Sequence, residues 1–138
     1  MADITITAGN VKQGSGSGLQ RGLAGVTIAA GEAVYLDPVD NRYKLADCDA
    51  ADAAARKPDG FAVNSAGVGQ PLAVQGGGDI TLGAATLIAG TTYYLSPNPG
   101  KIAPLADVAV GDYWTIVGIA RSASVLRIGI LESGVVRT

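Results

Sequence analysis

Few residues in this chain could do chemistry, and the most versatile type is missing: it has no histidine. That removes the commonest general base and the commonest transition-metal ligand together. Carboxylates are the next resource. Asp37, Asp40, Asp47, Asp49 and Asp52 lie near one another, as a cation site would need. They lack the Gly at the sixth loop position and the Glu at the twelfth that a helix-loop-helix calcium site requires. Caps and a solvated loop account for these acids more simply. Glu32 and Glu132 are the only glutamates, and nothing in their placement supports the carboxylate pair of a small glycoside hydrolase. Cys48 is the only cysteine. It forms no disulfide within the chain, which fits folding in a reducing compartment, and with no basic neighbour before Arg56 it reads as a packed or loop thiol. The glycine runs at residues 14–18 and 76–78 are not followed by Lys-Ser/Thr and open no helix after a strand, so they read as turns or tethers and not as phosphate cradles. Tyr93, Tyr94, Tyr113 and Trp114 could line a sugar platform, although aromatics in strands more often serve a core or a subunit contact. The expectation is a protein that is not an enzyme and uses no metal and no cofactor.

The elements that hold these residues are written twice. Thr27-Ile28-Ala29-Ala30-Gly31-Glu32-Ala33-Val34-Tyr35-Leu36-Asp37-Pro38 recurs 59 positions later as Thr86-Leu87-Ile88-Ala89-Gly90-Thr91-Thr92-Tyr93-Tyr94-Leu95-Ser96-Pro97. Looser echoes follow: Leu45-Ala46-Asp47 with Leu105-Ala106-Asp107, Gly60-Phe61-Ala62 with Gly118-Ile119-Ala120, and Leu72-Ala73-Val74 with Leu126-Arg127-Ile128. Such self-similarity marks one supersecondary unit that buries its apolar face against its copy. Short β-branched runs separated by Gly and Asx-Pro turns make the expected fold all-β, with units at about 25–78 and 79–138. Residues 47–57 are Ala-rich, with two possible Asp caps and a stop at Pro58-Asp59-Gly60. They read as one short helix or an irregular loop.

With 138 residues the chain fits a single domain, and its apolar side is aliphatic: hydrophobic residues are 48% and aromatics 5%. The formal charge of -2, with no block of Lys or Arg, argues against nucleic acid as a partner. No stretch approaches the ~20 apolar residues of a membrane helix, and the acidic, alternating start does not resemble a secretory signal. The expected product is soluble and made in the cytoplasm. Residues 2–7 alternate with Ile4 and Ile6 on one side, as a strand would, ahead of the Gly/Ser tether. Residues 1–21 therefore read as a flexible arm suited to strand addition on a neighbour, or as a disordered terminus, and residues 22–138 as the β domain.

Several of these segments resemble the head decoration, or cement, proteins of tailed bacteriophages. The resemblance is carried in the second unit by Thr91-Thr92-Tyr93-Tyr94-Leu95-Ser96-Pro97, Gly100-Lys101-Ile102-Ala103-Pro104, Gly111-Asp112-Tyr113, Val117-Gly118-Ile119-Ala120 and Ile128-Gly129-Ile130. The first unit contributes Ala30-Gly31, Val34-Tyr35-Leu36, Gly60-Phe61-Ala62-Val63 and Gly69-Gln70-Pro71-Leu72-Ala73-Val74. It implies a small β-barrel or β-tulip domain on the outer capsid surface of the virion. The partners it implies are the major capsid protein and itself, commonly as a homotrimer, with no catalysis and neither nucleic acid nor membrane involved. No residue-level binding motif carries over. On that reading Ile4, Ile6 and Val11 are candidate capsid contacts, and Tyr93, Tyr113 and Trp114 are candidate subunit contacts, where aromatics are enriched. The alternative is a receptor- or glycan-binding module of a head fibre or tail fibre.

Overall fold

A computed structural model describes residues 4, 6, 11–13, 19–82, 87–104 and 110–136. Among these the protein is all-β, with no helix and eleven strands: β1 Lys12–Gln13, β2 Leu19–Leu23, β3 Ala33–Asp37, β4 Arg42–Leu45, β5 Gly60–Ala62, β6 Pro71–Gln75, β7 Gly78–Thr81, β8 Thr92–Leu95, β9 Ile102–Pro104, β10 Tyr113–Ala120 and β11 Val125–Val136. They form two sheets, β2-β6-β5-β3-β4 and β1-β7-β11-β10-β8-β9. All of the strand pairings are antiparallel.

The two orders are one topology. Replacing β2, β6, β5, β3 and β4 by β7, β11, β10, β8 and β9 turns the first sheet into the second, with β1 added at its edge. Hydrogen bonds repeat with the strands. The Gly31 N–H donates to Ala62 O at 2.7 Å, and the Gly90 N–H donates to Ala120 O at 2.8 Å. Ala62 returns a bond to Glu32 O at 2.9 Å, and Ala120 to Thr91 O at 3.0 Å. Gly31 and Gly90 hold this corner with φ of 91° and 85°, which a side chain would oppose. Val74 lies opposite Ala62 as Leu126 lies opposite Ala120, so the strand register sets the Leu72-Ala73-Val74 echo two residues out of step.

The turn after β3 follows its sequence chemistry. The Asp37 and Asp40 carboxylates accept from the N–H groups of Val39 (2.9 Å) and Arg42 (3.1 Å), while Asn41 takes a left-handed φ of 57°. The turn after β8 uses Ser96 Oγ, which accepts from the Asn98 N–H at 3.0 Å, and Gly100 at φ 78°.

Two expectations change and one alternative is decided. Neither sheet closes into a barrel; the outer strands of the five-stranded sheet touch through one parallel bridge, Ala24 to Tyr43. Of the two readings of residues 47–57 the irregular loop is the one formed, because Asp47 and Asp52 bond the N–H groups two residues on, at 3.1 and 3.0 Å, and so draw the backbone out of a helical ladder. The boundary at residue 21 falls inside β2, where Arg21 and Gly22 pair with Ala73 and Leu72. The Gly/Ser tether, most of the arm and the Leu105-Ala106-Asp107 echo lie outside the described residues.

Two cores result. Val34, Ala62, Leu72 and Val74 pack with Ala24, Ile28, Tyr43 and Ala66 on one side of the five-stranded sheet. On its other side Ala33, Tyr35 and Phe61 join a continuous cluster with Ile80, Tyr93, Leu95, Ile102, Val117 and Leu126 of the six-stranded sheet. Burying this layer is the main force holding the sheets together, at ~25 cal/mol per Å² of apolar surface.

Candidate interaction surface

The joint between the units is made by the β8–β9 turn and the start of β10. The Ala33 N–H donates to Gly100 O at 2.9 Å, and the Gly100 N–H donates to Ala46 O at 2.7 Å. Cys48 bridges both elements, its N–H donating to Ser96 O at 3.3 Å and its carbonyl accepting from Tyr113 N–H at 3.2 Å. Lys101 Nζ lies 3.4 Å from Glu32 Oε2. Thr115 Oγ1 donates to Arg56 O at 3.0 Å, and the Arg56 guanidinium sits 3.8 Å from the centre of the Tyr113 ring.

Each sequence candidate has a definite place around this joint. Ile4 and Val11 are buried in the large core, with Ile6 packed against it, and the Ile4 N–H donates to Ile102 O at 3.0 Å. A methyl at Gly31 would lie 2.6 Å from Ile6 Cγ2 and 3.0 Å from Val11 Cγ2, so the arm residues are seated on the bare first-unit corner. Tyr93 is core at 2% exposure, its hydroxyl accepting from Ile88 N–H at 3.0 Å. Tyr113 and Trp114 are half-buried, and Trp114 meets Tyr94 edge-on with centroids 6.3 Å apart. The structure thus brings Tyr113 and Trp114 to one end of β10 and leaves Tyr93 inside.

Much of the remaining chemistry is tied down, although Asp79 Oδ1 and Trp114 Nε1 are buried without a hydrogen-bond partner among the described residues. The Cys48 thiol is buried, and burial, reinforced by the Asp112, Asp47 and Asp49 charges, pushes it up to about 12. Burial and the Asp49 carboxyl raise Asp47 to about 6. Lys44 holds Asp37 at 2.7 Å and Asp40 at 3.2 Å, and this hydrogen bond keeps Asp37 below the usual carboxylate range. No group of three or more His, Cys, Asp or Glu side chains among the described residues could hold a metal ion. Nor is any helix among them long and apolar enough to cross a membrane.

The open feature lies on the six-stranded sheet. Across β3, β5 and β6, Ala33, Phe61 and Gln75 are opposite one another; across β8, β10 and β11 the equivalents are Thr92, Ile119 and Arg127. The first trio is buried, whereas Ile119 is 49% exposed and Arg127 is exposed. Ile116, Gly118, Ile119, Ile128 and Gly129 floor a groove of about 510 Å³, rimmed by Arg121 and Arg127. Leu131, opposite Ile116, extends it at 64% exposure. Sequence reasoning missed this surface. Its signal was the substitution of Ile119 for Phe61 at matched Gly-x-Ala positions, joined to the run of β11 beyond Ile130. No protein-family model matches the chain, and no curated protein does.

Proposed function

We propose that this chain is a capsid decoration protein of a tailed bacteriophage. It is made in the host cytoplasm, docks on the outer surface of the head through the major capsid protein, assembles as a homotrimer and performs no catalysis. The observation that supports this best is the division of labour on its surface. Asp37, Asp40, Asp47 and Asp52 serve turns, Asp37 also an ion pair, and the thiol is buried, while an apolar groove stands open on one sheet. Such a protein works by holding. A ligand that binds only the assembled lattice stabilises it by mass action, and many modest contacts add up over a shell.

The test is cosedimentation of purified protein with expanded capsids, followed by calorimetry of the shells. Binding at micromolar concentration and a raised shell melting temperature are expected; absence of binding overturns the reading. The half-exposed Trp114–Tyr94 pair favours a second reading, a glycan-binding module of a virion fibre. A glycan array separates the two, since a cement protein requires shells and ignores carbohydrate.

A further inference from the structure

We infer that copies of this chain associate head to tail, the β3–β4 turn of one copy seating on the groove around Ile119 of the next. This rests on the self-association in the reading above, and not on the capsid.

The internal joint supplies the pattern. Within one chain the β8–β9 turn lands on the first unit at Ala33, the residue paired with Phe61. The repeat makes the β3–β4 turn the counterpart of that turn, Asp37-Pro38 standing where Ser96-Pro97 stands. It makes Thr92, paired with Ile119, the counterpart of Ala33. One half of the pattern is therefore satisfied inside the chain; of the other half, Val39 and Ile119 are exposed and Thr92 is half-buried. Ile119 and Leu131 face outward, and Val39 at the tip of the β3–β4 turn is 90% exposed.

Their chemistry is complementary. The groove is apolar and the turn offers the exposed Pro38 and Val39; Arg121 is already paired with Asp79 and Asp40 with Lys44, so the match is one of apolar surfaces with Arg127 at the rim. Because donor and acceptor are different surfaces, each copy uses both, and the association closes only as a ring.

Sedimentation equilibrium of the full chain, V39D, I119K and their equimolar mixture tests this. Both altered side chains are exposed, and matching near-ultraviolet dichroism checks that the variants fold. The wild type is expected to associate, and each variant to associate at least tenfold more weakly. The mixture should recover a dimer and nothing larger, since the intact turn of I119K meets the intact groove of V39D. A wild type that stays monomeric at 0.5 mM, variants that associate like the wild type, or a mixture that stays monomeric overturns the inference. Capsid cosedimentation is read separately: a monomeric wild type that binds shells removes this inference and leaves decoration standing, whereas a head-to-tail assembly that ignores shells does the reverse.

Discussion

Phe61 and Ile119 occupy the same place in two copies of one β unit, yet Phe61 is fully buried between the sheets and Ile119 faces solvent. Replacing Phe61 by Ala should cost about 3–5 kcal/mol, the usual range for a truncated core aromatic. Ile119→Ala should stay within about 0.5 kcal/mol, as surface changes do. Urea denaturation at low protein concentration checks both; equal losses would contradict the assigned layers.

Among the described glycines, Gly60 and Gly118 lie closest to the backbone of a neighbouring strand. A methyl at either would lie 2.3 Å from a carbonyl oxygen, that of Gln75 or of Arg127, and backbone yields little. Ala at either position should destabilise by about 2 kcal/mol or more. Gly77→Ala, with open space around it, should be neutral or gain about 0.5 kcal/mol by restricting the unfolded chain. Thermal melts of the three variants test the contrast.

Asp47 gives stability a pH slope of definite sign. Burial and the neighbouring Asp49 raise its folded pKa to about 6 from the ordinary aspartate value of 3.8, so the folded chain holds a proton that the unfolded chain releases sooner. Stability therefore falls as pH rises through that window. Asp37, whose pKa is lowered, acts oppositely and only below the ordinary Asp range. Asp47→Asn keeps an oxygen for the Asp49 N–H, and should flatten the slope and stabilise by of order 1 kcal/mol at pH 7.5 after solvent screening. Denaturant titrations from pH 4 to 8 read this directly.

Cys48 should be chemically silent in the folded protein. Its buried thiol, pushed up to about 12, holds almost no thiolate near neutrality. Reaction with an aromatic disulfide reagent is expected to follow the unfolding rate in urea; rapid labelling in buffer would contradict the burial.

The sequence disclosed the repeat because its matched residues are those with rigid backbone duties: Gly31 and Gly90 at positive φ, and Pro38 and Pro97 in turns. The burial of one side of β11 shows in its alternation, Leu126 and Ile128 buried against the exposed Arg127 and Gly129. Strand β2 escaped notice: Leu19-Gln20-Arg21-Gly22-Leu23 lies at a sheet edge and has no apolar alternation to read. The end of β11 escaped for a related reason, since residues 131–136 are exposed on both faces and lack a period. Ala-rich composition left a helix open at 47–57, but propensity is a weak prior where Asp47 and Asp52 offer the backbone local partners. Choosing Tyr93 as a subunit contact failed to reckon with the pleat: it points opposite to Tyr94, and only Tyr94 lies on the side of Ile119.

The shared strand order also bears on ancestry. A gene that doubles a unit of this kind begins with two identical flanks, one masked at once by its sibling and one abandoned to water. On the abandoned flank Thr92 and Arg127 stand where the masked one keeps Ala33 and Gln75, and Ile119 alone of the three is still greasy.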